Sequence, residues 1–195
     1  GSRSDDLGRV RTTARMACDS AKDHGRDRIE VYEDENLSLI RRHDDMQLVS
    51  QIQQALDADG FQLQAQPIVS LKRIGDPPRF EILLRMKDID GNSISTPALL
   101  SAAERYHLMP QIDRWVISAT IARLAVLAES INGARANFSI NLSGQSLCDD
   151  DILEFIEDEL RHSGIAAERL CFEVTESAAV SNLKKAQAFI NALRK

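Results

Sequence analysis

The chain has 195 residues, a formal charge of −6 and a pI near 5.3, with 43% hydrophobic and 28% charged side chains. One ordinary domain with a real core fits that length, and the composition describes a globular protein, neither disordered nor fibrous. It excludes a membrane span, since no apolar run nears the ~20 residues required, and with no Lys/Arg stripe it argues against binding to long nucleic acid. Cys18, Cys148 and Cys171 are odd in number and far apart, so they are expected to be reduced and mostly buried, in a reducing compartment. His24, His43, His107 and His162 are equally scattered, and neither set has zinc-ligand spacing.

The first predicted element is a helix over 8–24, with small or apolar side chains at Val10, Ala14, Ala17, Cys18 and Ala21 and a stop at Gly25. A short strand over 28–32 follows, and because one helix and one strand cannot bury their own apolar faces, the pair reads as the tail of a preceding domain. Residues 33–44 are charged and nonperiodic, as in a linker, whereas Met46, Val49, Ile52 and Leu56 restore helical spacing over 45–58. Residues 61–71 and 79–87 then form two strands around a Gly- and Pro-bearing turn at 72–78, a predicted hairpin.

Thr96-Pro97 supplies an N-cap and first-turn proline for a short helix, and a longer helix runs from about 111 to 129, ending near Asn132-Gly133. Next come a strand at 136–143, a helix at 150–162 closed by Ser163-Gly164, a strand at 169–175 and a helix from Ser181. Strand and helix taking turns implies parallel βα units in an α/β layer fold or barrel. The final helix reaches Lys195 with no cap after it, and the expectation is an unfinished domain.

Period-two alternation sorts the chemistry from the packing. Phe80, Ile82 and Leu84 share one face of their strand and Glu81, Leu83 and Arg85 the other; Phe138, Ile140 and Leu142 oppose Asn137, Ser139, Asn141 and Ser143; Phe172 and Val174 oppose Cys171, Glu173 and Thr175. Strands buried on both faces of a parallel sheet are nearly all apolar, so the polar face must meet water, a ligand or a metal. Structural ion pairs and strand-end backbone contacts would explain each residue alone. Glu81, Asn141 and Glu173 together, each expected in the C-terminal part of its strand, offer three hard oxygen ligands suited to Mg²⁺ or Mn²⁺.

Four segments carry a resemblance. Gln66-Pro67-Ile68-Val69, Glu81-Ile82-Leu83-Leu84-Arg85, Ile140-Asn141-Leu142-Ser143 and Glu173-Val174-Thr175-Glu176 resemble, in order, the motifs of the EAL domain, a family that hydrolyses cyclic-di-GMP to the linear dinucleotide pGpG. Ala103-Glu104, Ile112-Asp113 and Trp115-Val116 look like its intervening helices. The resemblance implies metal ligands at Glu81, Asn141 and Glu173, a phosphate-contacting Arg85, a ligand-proximal Gln66 and a loop-steadying Glu176 that serves catalysis with Glu81. The naming tripeptide reads Glu-Ile-Leu in place of Glu-Ala-Leu, but Ile82 points to the packing face.

Ala21-Lys22, Gly25-Arg26-Asp27-Arg28-Ile29 and Val31-Tyr32 are similar to the end of a GGDEF (diguanylate cyclase) domain. The implied organisation is a GGDEF-like tail at 1–32, a linker and connecting helix at 33–60, and the N-terminal part of an EAL domain at 61–195. The expected fold is therefore α/β, an incomplete TIM-type (β/α) barrel of about four strands after an N-terminal helix-strand remnant. A closed barrel takes roughly 250 residues, so this half alone is expected not to catalyse. The implied setting is cytoplasmic bacterial signalling, with cyclic-di-GMP as partner, no membrane contact, and a homodimer through the EAL domain or the helix at 45–58. The competing expectation is an EAL module that binds cyclic-di-GMP without cutting it.

Overall fold

The structure, a computed structural model, describes residues 11, 14–15, 17–18, 29, 35–58, 60–71, 77–88, 90–130 and 136–193, without the side chains of 35–44 and 128–130. The chain divides into two compact units, Gly1–Gln47 and Leu48–Lys195. In the first, Arg11, Ala14, Arg15, Ala17 and Cys18 are helical, as expected of 8–24; the expected strand at 28–32 lies outside the described residues except for exposed Ile29. Apart from Ile29, the motif residues likened to a GGDEF domain lie outside them, as do residues 72–76 of the expected turn and Asn132-Gly133.

Helix α1 spans Glu35–Asp57, so the segment read as a linker is helical from residue 35 onward. Its charged residues obscure the 3.6-residue period, yet none of those from 35 to 44 is Gly or Pro, the two residues that most disfavour a helix. The helix stops where Gly60 donates its N–H to the Ala55 carbonyl at 2.8 Å; a Cβ on Gly60 would come within 3.0 Å of the Ala55 Cα, so a side chain there would crowd the turn.

The second unit is built on one four-stranded sheet in the order β1 (Phe61–Ile68), β2 (Arg79–Met86), β3 (Asn137–Asn141) and β4 (Leu170–Glu173). β1 and β2 are antiparallel, the expected hairpin, with Phe61 opposite Met86 and Gln66 opposite Glu81. β2, β3 and β4 are parallel, with Glu81 beside Ser139 and Asn141 beside Glu173. Between β2 and β3 run α2 (Thr96–Arg105) and α3 (Met109–Ser130), and between β3 and β4 run α4 (Gly144–Leu147) and α5 (Ile152–Ser163). After β4 come α6 (Glu176–Ser181) and α7 (Leu183–Leu193). α2 begins one residue after Ser95, which takes the N-cap position expected of Thr96, with Pro97 in the first turn. α5 ends on Gly164 at φ 67°, a left-handed cap that glycine adopts without strain.

One face of the sheet is packed. Ile82, Met86, Phe138 and Ile140 meet Ile112, Val116, Ile117 and Ile121 of α3, Leu99 and Ala103 of α2, and Ile152 and Ile156 of α5 in a single core. Phe80 stacks on Phe138 at 5.5 Å between ring centroids, and Phe172 meets Phe189 of α7 edge-on at 6.3 Å. The cysteines depart from expectation: Cys18 and Cys171 are exposed, Cys148 is half-buried, and all three are free. Cys171 is solvated because it alternates onto the opposite, open face, beside Ser139. Among the described residues no helix is long and apolar enough to cross a membrane.

Candidate active site

The open face carries the polar side chains, because each packs its strand neighbour inward. Glu81 sits between Phe80 and Ile82, Asn141 follows buried Ile140, and Glu173 follows Phe172. The Asn141 Nδ2 donates to Glu81 Oε1 at 2.9 Å, and Asn141 is the direct cross-strand neighbour of Glu173. Gln66 lies opposite Glu81 on the same face. Among the described residues no Lys, Arg or His forms an ion pair with Glu81 or Glu173.

Two positions differ from expectation. Asn141 and Glu173 end their strands, but Glu81 is the third residue of β2, because β2 pairs with β3 through its first four residues and continues beside β1 alone. The diagonal Asn141–Glu81 bond spans that stagger. Glu176 is the first residue of α6, where a loop was expected, and Thr175 caps that helix by accepting from the Ala178 N–H at 3.3 Å.

Arg85 is farther along β2. Its Nε donates to Gln64 Oε1 at 3.0 Å and its Nη1 to the Leu84 carbonyl at 2.8 Å, so the guanidinium is held by β1 and by its own strand. Gln64 was not singled out in the sequence, although its place two residues before Gln66 puts it on the same face.

A second group missed in the sequence lies under the β3 terminus. Asp113 of α3 is only 4% exposed, and its Oδ2 accepts from the Ser143 N–H at 2.9 Å and from Ser146 Oγ at 2.7 Å. Burial pushes its carboxyl above the ordinary value of 3.8, and the bonds from Ser143 and Ser146 pull the other way. Ser143 caps α4 by accepting from the Ser146 N–H at 3.1 Å. A visible signal did exist: an acid between Ile112 and Trp115-Val116 on an apolar helix is a charge on the buried side.

Beside this loop lies an open cleft of about 690 Å³, lined by Glu104, His107, Gln145, Thr175, Ser177 and Asn182 among others. Gln145 donates from Nε2 to the Glu104 carbonyl at 2.6 Å.

The model of the EAL domain matches residues 49–195. The chain belongs to the EAL family. It is 33% identical over 185 residues to the cyclic di-GMP phosphodiesterase PdeB of Shewanella oneidensis, a match covering 93% of this chain and 21% of that protein. With the cyclic di-GMP phosphodiesterase PdeF of Escherichia coli it shares 37% identity over 151 residues, covering 77% of this chain and 20% of that one. The chain thus spans about a fifth of the length of these curated relatives. Among solved structures, the FimX EAL domain of Pseudomonas aeruginosa bound to c-di-GMP superposes with a TM-score of 0.69 at 31% identity, over 75% of this chain and 57% of that one. The mixed α/β sheet of this EAL chain accordingly matches part of a TIM-type barrel, as its strand order anticipated.

Proposed function

We propose that this EAL chain belongs to a cytoplasmic protein that hydrolyses cyclic-di-GMP to linear pGpG with Mg²⁺ or Mn²⁺, residues 61–195 being the N-terminal part of its barrel. Residues 33–60 then act as linker and connecting helix, able to pair two copies, and 1–32 as the end of a GGDEF-like domain. The observation that carries the reading is the carboxylate–amide–carboxylate row of Glu81, Asn141 and Glu173 on one open face.

That row fits a hard divalent cation. Asn141 donates one Nδ2 hydrogen to Glu81, which leaves its Oδ1 as a neutral oxygen donor, and the two carboxylates have no cationic partner among the described residues. Glu81, Asn141 and Glu173 would hold the ion, which when bound would polarise the phosphodiester and lower the pKa of a water. Arg85, anchored through Nε and Nη1, keeps its Nη2 hydrogens for a phosphate oxygen and offsets charge that an acidic protein would otherwise repel. Gln66 lines the same face next to Glu81 as a donor or acceptor for the dinucleotide. Glu176, in the first turn of α6, steadies the segment after β4.

The test is turnover in the full-length protein, with product followed by chromatography and Mn²⁺ or Mg²⁺ supplied or chelated. Cation-dependent pGpG formation that disappears in Glu81→Ala supports the reading. Tight cyclic-di-GMP binding with no product would replace it by a receptor role, to which the nucleotide-bound FimX domain lends support.

A further inference from the structure

We propose that Asp113 is a positioning residue that holds Asn141 at the end of β3 by fastening the turn that follows it. The inference rests on the reading of Asn141 as a cation ligand, and it concerns a side chain about 30 residues away in sequence that touches neither cation nor substrate.

The turn after Asn141 is fastened residue by residue. Leu142 is buried and donates its N–H to the Glu173 carbonyl at 2.8 Å, which ties the β3 exit to the strand bearing the other candidate ligand. Ser143 donates its N–H to Asp113 Oδ2 at 2.9 Å, and the same oxygen accepts the Ser146 hydroxyl at 2.7 Å. Asn141 is thus two residues from a backbone bond to a buried carboxylate, and its own amide closes on Glu81.

The neighbouring residue fastens the other end of the same short helix. Arg114 Nη2 pairs with Asp149 Oδ2 at 2.8 Å, and its guanidinium lies 4.7 Å over the centre of the Phe155 ring. Lys185 of α7 adds bonds to the Cys148 carbonyl at 2.6 Å and Asp150 Oδ1 at 2.8 Å. One turn of α3 therefore grips α4 at its start through Asp113 and just past its end through Arg114. The α4 helix is four residues long and cannot hold its own position by internal bonds, so its placement is imposed from outside.

A core needing only volume at position 113 would carry Leu or Ile. A carboxylate buried to 4% exposure is costly unless it is hydrogen-bonded, and what its bonds secure here is the backbone next to a candidate ligand. Residues that orient ligands without touching the ion typically change cation affinity or activity by about 10- to 100-fold when removed.

The experiment compares full-length wild type, Asp113→Ala, Asp113→Asn and Ser146→Ala, using Mn²⁺ alone as the calorimetric probe on metal-free protein. Amide hydrogen exchange over residues 137–148 and cyclic-di-GMP turnover are measured on the same samples. Asp113→Ala is expected to weaken Mn²⁺ binding about 10- to 100-fold, to lower kcat more than it changes KM for cyclic-di-GMP, and to speed exchange at Ser143. Asp113→Asn keeps an acceptor oxygen and should restore Mn²⁺ affinity to within ~3-fold of wild type.

A folded Asp113→Ala with wild-type Mn²⁺ affinity overturns the proposal, and so does an Asp113→Asn as impaired as the alanine variant. Where Asp113→Ala does not fold, Ser146→Ala decides: a ~3- to 10-fold weaker isotherm supports the role, and an unchanged one removes it. Mn²⁺ binding that depends on Asp113 in a protein with no turnover would retain the positioning role and discard the hydrolase. A wild type with no Mn²⁺ affinity would sink the ligand set, and the positioning role with it.

Discussion

The two faces of the sheet are made by the same strands and obey different rules. Ile140 is fully buried and Asn141, the next residue, is exposed; Ile82 is in the core and Glu81 beside it faces the open side. On the packed face the requirement is volume and apolarity, met by residues drawn from α2, α3, α5 and α7. On the open face it is the direction of a few polar atoms, and little area is buried there. Stability and chemistry are therefore expected to separate by single-residue steps along one strand.

The largest expected effect is on the packed face. Ile140→Ala removes three carbons from a site with no solvent access and should cost about 2–5 kcal/mol of unfolding free energy, because the α3 and sheet side chains around it cannot fully collapse into the space. Urea denaturation reads this directly. The separation of faces is broken if Ile140→Ala spares stability yet abolishes Mn²⁺ binding in the folded protein.

The converse substitution is on the open face. Glu81→Gln keeps an oxygen to accept from Asn141 Nδ2 and removes only the charge. On the proposed function, cyclic-di-GMP turnover by the full-length protein should fall by ~10²–10³, the range seen when one preorganised electrostatic group is removed, with stability within ~0.5 kcal/mol of wild type. A variant that unfolds while keeping the turnover of its folded fraction would make Glu81 structural.

Much of this contrast was readable in the sequence. Alternation separated Phe80, Ile82, Phe138 and Ile140 from Glu81, Ser139 and Asn141, since a strand has only two sides. Helix-strand alternation likewise announced the parallel β2-β3-β4 order. The stagger of Glu81 was not readable, because register between strands depends on pairing partners some 60 residues apart and no periodicity reports it. The extent of α1 escaped for a different reason: its first ten residues, 35–44, are charged and nonperiodic and look like a linker. Cys171 is expected in the interior on residue type, yet its alternation with Phe172 already puts it on the polar face, and there the structure leaves it exposed. Asp113 was visible only as an anomaly; that its bonds run to Ser143 and Ser146 is a fact of tertiary packing.

Asp113 also supplies the smallest and sharpest test, since it is a charge placed among residues that follow the packed-face rule. Its carboxyl is pushed above 3.8 chiefly by burial. The native protein therefore binds this proton more tightly than the unfolded chain does, and Asp113 contributes most to stability below 3.8, losing that contribution as pH rises through its folded value. Asp113→Asn, which does not titrate, provides the baseline. Wild type should hold its greatest advantage over Asp113→Asn near about pH 4, with the gap narrowing as pH rises and becoming flat above the folded pKa. Urea denaturation of both proteins in steps from about pH 4 to 7 measures that gap. A gap that widens with pH would mean that the bonds from Ser143 and Ser146 outweigh desolvation, making the buried carboxylate a net asset when charged. The boundary between the faces would then pass through α3, with Asp113 on the side where charge is favoured.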